Sequence, residues 1–405
     1  GPDYAPGNSV CSVGAITGGP CSLRAALTEA YLNLAGQDII INLDSETYLL
    51  TIPPDTANDI HSGDLDIPDN GSVYSITVGT NDPLNRAVID GNQLDRVFRI
   101  GEGVNINLAN LVVRGGLLLV STGTFSGGAG ILNDGNLHLD NVIIEDNEAR
   151  CQEEGCSINI IGGAVLNYGD ITMRDSTIQN NLCKNYSAIF NTAPDGNVVI
   201  LNSTIANNHA INVWTIGNYS TMHIRNTTIS DNTSGNTELN YAGIINYDPA
   251  YLVVESSTFA NAGRYASIFN HGNVRIKDSI FMALPAQFAS NCFNDGTWTS
   301  MGYNIFSDEP YNVLPAAGDY FDTDPLLSFL GSWGGPTKTR ALKPGSPAID
   351  HRPDDCDTIP FSPLIPPETL TIDQRYFDRN DGKCDTGAFE GSLEISDIFL
   401  PLFVK

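Results

Sequence analysis

Apolar residues in the middle of this chain recur in short pairs closed by asparagine: Ile131-Leu132-Asn133, Val165-Leu166-Asn167, Ile189-Phe190-Asn191, Ile244-Ile245-Asn246 and Ile268-Phe269-Asn270. Ile216-Gly217-Asn218 and Cys292-Phe293-Asn294 are looser copies. The asparagines are spaced by 34, 24, 27, 28, 24 and 24 residues, a near-period that means a solenoid or a propeller. A second phrase travels with the first: Asp140-Asn141-Val142-Ile143, Asp175-Ser176-Thr177-Ile178, Asn202-Ser203-Thr204-Ile205, Asn226-Thr227-Thr228-Ile229, Ser256-Ser257-Thr258-Phe259 and Asp278-Ser279-Ile280-Phe281.

Within a unit, runs such as Val198-Val199-Ile200-Leu201, Met222-His223-Ile224-Arg225 and Val274-Arg275-Ile276-Lys277 are β-forming and bounded by Gly and Asn. No unit holds the apolar periodicity of a helix, and propeller blades are longer, about 40 residues. Each unit therefore reads as two or three short strands, one coil of a right-handed parallel β-helix; the fold class is all-β. Asn133, Asn167, Asn191, Asn218, Asn246, Asn270 and Asn294 then fall at one corner of successive coils. At about 4.8 Å per coil, their amides can hydrogen-bond along the stack and satisfy turn backbone. Glycines at Gly127-Gly128-Ala129-Gly130 and Gly162-Gly163-Ala164 read as tight corners.

The flanks differ from the middle. In residues 1–72, Ser22 is an N-cap candidate and Leu23, Ala26, Leu27, Ala30 and Tyr31 share one helical face. That helix suits a cap over the first coil, which Asp38–Leu43 and Tyr48–Ile52 begin; residues 53–72 read as an acidic loop. Coils fill 73–306. Residues 307–392 are rich in Pro, Gly and Asp and lack the repeat, and 393–405 form an apolar tail carrying Ile398, Phe399, Leu400, Leu402, Phe403 and Val404. The tail predicts either a strand folded back on its own solenoid or one that pairs with another molecule.

Charge narrows the partners. Twenty basic against 47 acidic residues give −27, which repels nucleic acid and anionic membranes and leaves cations such as Ca²⁺ as charged partners. No run approaches 18 apolar residues, so no membrane span is expected. No CxxC pair occurs among the eight cysteines, so disulfides in an oxidising compartment are the better account than zinc. Local spacing pairs Cys11 with Cys21, Cys151 with Cys156 and Cys356 with Cys384. Cys183 and Cys292 are left either free, or intermolecular, or sharing with the Cys151/Cys156 loop. A start at Gly1 without methionine is what a mature exported protein shows, and what a trimmed one shows as well.

Cys21-Ser22-Leu23-Arg24-Ala25-Ala26-Leu27 resembles the CSLREA-type element near the start of many bacterial exported β-helix proteins, with Ala25 where that element has Glu. Asp324-Pro325-Leu326-Leu327, Gly334-Gly335-Pro336-Thr337, Pro344–Asp350, Asp373-Gln374-Arg375 and Cys384–Glu390 resemble the choice-of-anchor module of the same proteins, and the Gly-Gly-Ala corners are similar to those of polymorphic outer-membrane adhesins. The resemblance implies export, a pectate-lyase-like β-helix and display at a cell surface. It implies no catalytic residues.

Catalytic motifs are wanting. Arg275-Ile276-Lys277 matches the RIK element of polygalacturonases, but His271-Gly272 stands only three residues before it and the paired aspartates are missing. Arg275 and Lys277 therefore read as outward positions on a strand. Neither HExxH, GxSxG nor a P-loop occurs. Asp64/Asp66/Asp69 and Asp319/Asp322/Asp324 are the acidic clusters a Ca²⁺ site would use, yet turn capping accounts for both. No other cofactor is expected. Six N-x-S/T sequons stand at Asn70, Asn185, Asn202, Asn218, Asn226 and Asn232; in a chain this rich in Asn, Ser and Thr most arise by chance, so glycosylation is possible rather than expected. The function expected is an extracellular or cell-surface structural or adhesive β-helix that joins head to tail through its C-terminal tail. The alternative is a polysaccharide-binding or polysaccharide-degrading β-helix, for which a row of exposed aromatics with converging carboxylates would speak.

Overall fold

A computed structural model describes residues 21–33, 37–54, 60–68, 75–121, 125–152, 159–192, 196–235, 243–260, 267–283, 290–359, 369–379 and 382–392. Among them the chain winds as a parallel β-helix. Three long sheets run the length of the solenoid: sheet I with nine strands, from Leu65–Ile67 to Cys292–Asn294, and sheets II and III with ten each, from Ile39–Asn42 to Thr297–Ser300 and from Thr47–Leu49 to Ile305–Phe306. One coil passes through them in turn, as in Ile131–Asn133, Asn136–Asp140 and Ile143–Glu145. A fourth, seven-stranded sheet adds a side to the coils between Leu117 and Ser234, one strand more than the two or three expected per coil.

Alternation decides what the solenoid contains. Sheet II residues in register across eight coils, Ile76, Ile106, Leu137, Ile171, Val198, Met222, Leu252 and Val274, form one inward column, and all are buried. Every fully buried aliphatic side chain of this kind is worth about 1.5–3 kcal/mol. Toward the far end the column in sheet III turns aromatic, with Phe259, Phe281 and Phe306 stacked at centroid distances of 5.2 and 5.0 Å.

Both ends of the core are closed. The helix Leu23–Asn33 lays Leu23, Leu27 and Ala30 on the first coil. Ser22 Oγ accepts the Ala25 N–H at 3.1 Å as the N-cap. The Arg24 guanidinium turns the other way, donating to the carbonyls of Ile60 at 3.1 Å, Gly63 at 2.5 Å and Asp64 at 2.7 Å. At the other end Phe321 packs edge-on to Phe306 at 5.1 Å, and Val313 joins the core. The coil geometry thus outlasts the repeat: Tyr311 bridges to Phe293 and Tyr320 to Ile305, both parallel, so the boundary expected at 306 falls inside the last, partial turn. The stretch 53–72 is likewise more than a loop, because Leu65-Asp66-Ile67 alternates and forms the first strand of sheet I. Beyond 323 the chain leaves the solenoid, makes an antiparallel pair from Leu327–Gly331 and Thr339–Leu342, and returns along its flank.

Candidate functional site

The corner between sheets I and II is built by the repeated asparagines. Their Nδ2 groups donate to the Oδ1 of the next coil from Asn133 to Asn167, Asn191, Asn218, Asn246, Asn270 and Asn294, at 2.7, 2.9, 2.8, 2.8, 2.9 and 2.8 Å. The same amides also donate to turn carbonyls, for example Asn218 to Ser220 and Tyr251, both at 3.1 Å. A buried amide needs all of these partners.

Two further columns escaped the sequence reading. Asn147, Asn181, Asn208 and Asn232 form a second amide stack, at 3.0, 2.9 and 3.0 Å, after sheet III. Each follows a left-handed Asp or Asn: Asp146, Asn180, Asn207 or Asp231. The second phrase supplies the third column. The phrase takes positive φ at Asn141, Asp175, Asn202, Asn226, Ser256 and Asp278, a conformation that Asn and Asp tolerate. Its hydroxyl then accepts a backbone N–H from the coil before, as Ser176 does from Val142 at 2.9 Å and Ser257 from Thr227 at 3.2 Å.

The C-terminal segment is fastened along this third column. Tyr376 hydrogen-bonds Asp175. Gln374 donates to Ser203 O at 3.0 Å and Thr204 Oγ1 at 3.1 Å, and accepts from Thr228 Oγ1 at 2.6 Å. Arg340 forks onto both oxygens of Asp231 at 2.8 Å, Ala388 N–H reaches Thr258 Oγ1 at 3.0 Å, and Arg352 meets Asp278 at 3.0 Å. Burial pushes Asp278 up to about 6, against the pull of Arg352 and Lys277. Lys277, expected on open surface, lies beneath this segment and donates to Asp357 O at 2.6 Å.

The same segment covers the densest ionisable cluster. On the outer face of sheet II, His223 Nε2 lies 2.5 Å and Arg225 Nε 2.9 Å from Glu255 Oε2, and the Ile359 N–H donates to Oε1. All three side chains are buried. Burial alone would raise the Glu255 carboxyl, but His223, Arg225 and the Ile359 N–H hold it below the ordinary carboxylate range. Among the described residues it is a buried ion cluster, covered by the C-terminal segment at Ile359.

Open chemistry is found instead outside the corner between sheets I and II. A cleft of about 680 Å³ runs there from Arg99 to Thr192 across successive coils. Asp134, Asp170 and Tyr168 line it. Burial lifts the Asp134 carboxyl and, with the charge of Asp134, the Tyr168 phenol. Tyr168 is 38% exposed. A run of rings lies outside sheet I, including Phe190 and Tyr219 at 5.5 Å, Tyr219 and Tyr247 at 3.9 Å, Phe269 and Phe293 at 4.4 Å, and Phe293 and Tyr311 at 4.6 Å. Gly217 makes room for it: a Cβ there would meet Phe190 at 2.7 Å and Tyr186 at 2.8 Å. Tyr186, Phe190 and Trp214 are buried in a satellite cluster, whereas Tyr168 and Tyr311 are exposed.

The expected cation clusters are engaged with protein groups. Asp64 lies 3.2 Å from Arg96 and Asp66 3.9 Å from Arg99; Asp69 is outside the described residues. Burial raises Asp64 to about 7. Asp319 accepts from Asn304 at 2.9 Å and from Ser300 at 2.6 Å, and Asp324 from Leu326 N–H at 2.9 Å, as turn caps do. Cys356 and Cys384 form a disulfide. Cys21 and Cys151 are also disulfide-bonded, while Cys11 and Cys156 lie outside the described residues. Cys183 and Cys292 are free thiols in the interior, and burial pushes Cys183 up to about 12, which makes it inert. Asn202, Asn218, Asn226 and Asn232 are buried, so four sequons are closed to glycosylation in the folded protein. The tail residues 398–404 lie outside the described residues.

No family model, no curated protein and no solved structure matches this chain.

Proposed function

We propose that the chain is an extracellular or cell-surface structural and adhesive β-helix whose subunits join head to tail, the C-terminal tail of one completing the first coil of the next. The observation that carries this is the first coil itself. Ile39–Asn42 and Thr47–Leu49 are the leading edges of sheets II and III, and they leave Ile40 68% and Leu49 49% exposed. Among the described residues no strand pairs beyond these two, and an open edge with apolar side chains is the surface to which strands add. The helix Leu23–Asn33 fills the core at that end, so the contact is made at the edges rather than by bare core on bare core. The apolar run Ile398–Val404 has the composition of a donor strand. Export follows from the resemblance of Cys21–Leu27 to the CSLREA-type element and agrees with the disulfides. The polar residues of the repeat are spent inside the coils, which speaks for a scaffold more than for an enzyme.

Light scattering and electron microscopy of the native protein test this. Polymers are expected from the full chain, and monomers with unchanged circular dichroism from a chain lacking residues 395–405 and from the double variant Ile40→Lys, Leu49→Lys. Polymers that survive the truncation, or a monomeric full chain, would refute it.

A further inference from the structure

We infer that the cleft between sheets I and II is a binding site for a chain of neutral pyranose sugars laid along the solenoid axis. This site is independent of the leading edge and of the tail.

Its geometry is that of the coils. Asn105, Asn136 and Asp170 each open a strand of sheet II and stand in register, so equivalent polar groups recur about every 4.8 Å, close to the length of one pyranose unit in an extended chain. Asn136 Nδ2 already donates to Asn105 Oδ1 at 3.1 Å, and Asn197 Nδ2 to Asp170 Oδ1 at 2.8 Å, which fixes the orientation of this wall. The floor is backbone. A Cβ on Gly169 would lie 2.0 Å from Gly135 O, so glycine is what lets the two coils approach at this corner.

Tyr168, which also lines the cleft, supplies what a sugar needs besides hydrogen bonds. The face of an aromatic ring is apolar and electron-rich, and the C–H face of a pyranose is apolar and electron-poor. Its phenol, raised by burial beside Asp134, stays protonated as a donor.

Charge chooses among sugars. Glu102, Asp134 and Asp170 line the cleft with one guanidinium, that of Arg99, and Arg99 is itself 3.9 Å from Asp66. The wall therefore offers more acceptors than donors and an excess of negative charge. Such a site suits a ligand rich in O–H donors and free of carboxylate or sulfate, and the −27 charge of the chain reinforces the exclusion of polyanions.

Calorimetric titration of the full chain decides the matter, with β-1,4-linked tetramers of glucose, mannose, xylose and N-acetylglucosamine set against tetragalacturonate. At least one neutral tetramer should bind saturably, and tetragalacturonate at least about tenfold more weakly. Tyr168→Ala should weaken the neutral ligand about tenfold, and Tyr168→Phe, which keeps the ring face, by far less. Asp170→Ala gives a second arm at a polar group of the cleft, with the thermal midpoint of each variant as the control for folding. Absence of saturable binding across the neutral panel would overturn the inference. So would a preference for the uronate, or binding that both Tyr168→Ala and Asp170→Ala leave unchanged in folded protein.

Discussion

The coil stack and the segment bolted to its side are held by different chemistry. Inside the stack the polar bonds are neutral and repeated: amide to amide at Asn133 through Asn294, hydroxyl to backbone N–H at Ser176 and Ser257. At the junction each bond is made once, and several carry charge: Arg340 to Asp231, Arg352 to Asp278, Arg379 to the Asn226 amide at 3.2 Å. A repeated neutral bond is insensitive to pH and tolerates neighbours of the same kind. A unique charged one is sensitive to both, because a buried ion left alone is far costlier than a buried amide left alone.

The sharpest way to break this contrast is at Arg352. Arg352→Ala strands the buried Asp278, a loss of about 3–5 kcal/mol, and should free the C-terminal segment to proteolysis while the solenoid keeps its circular dichroism. Because burial already lifts Asp278 to about 6, the penalty should be larger at pH 8, where the carboxylate is ionised, than at pH 5. An equal penalty at both pH values would show that charge is not what Arg352 contributes. In the stack, Asn218→Ala removes the acceptor of Asn191 and the donor to Asn246. Unfolding in urea should show a loss of about 2–3 kcal/mol, with little difference between pH 5 and pH 8.

Acid should act on the junction through Glu255. Its folded-state pKa is depressed, so the stability it contributes is present above its unfolded value of 4.5 and is lost as pH falls through the folded one. Hydrogen exchange during acid titration should therefore report loosening around Ile359 and Glu255, and Glu255→Gln should remove that step. The smallest effect belongs to the N-terminal cap. Asp64, raised from 3.8 to about 7, favours the fold below its unfolded value and withdraws that contribution as pH rises through 7. Asp64→Asn should consequently flatten the decline of the thermal midpoint between pH 5 and 8; a profile identical to the parent's would show that Asp64 does not drive it.

The same contrast explains what the sequence made legible. The ladder from Asn133 to Asn294 could be read because one residue type recurs at one place in each coil, and the coil structure follows from it. The column at Asn147, Asn181, Asn208 and Asn232 carried an equally readable signal, since each ends an Asp-Asn or Asn-Asn pair at intervals of 34, 27 and 24; it was obscured by a chain full of asparagine. The junction offered no such signal. Arg340 and Asp231 are 109 residues apart, Gln374 and Thr204 170, and neither pairing repeats, so only the folded path of the returning segment brings them together. Tyr168 and Asp134 were invisible for a related reason: each follows a ladder asparagine, yet Thr192, Tyr219, Tyr247, His271 and Asp295 do so too, and nothing in the series marks where a cleft opens.

The returning segment also solves a problem of arithmetic that stacked coils cannot solve for themselves. One turn of a β-helix is much like the next, and nothing in an amide ladder records how many turns have been wound. A segment that grips Asp175, Thr204, Thr228, Asp231, Thr258 and Asp278 with five different residues does keep that record. A coil skipped or added within that span would carry the later grips a full turn out of reach, so the segment is a gauge against which the winding is checked.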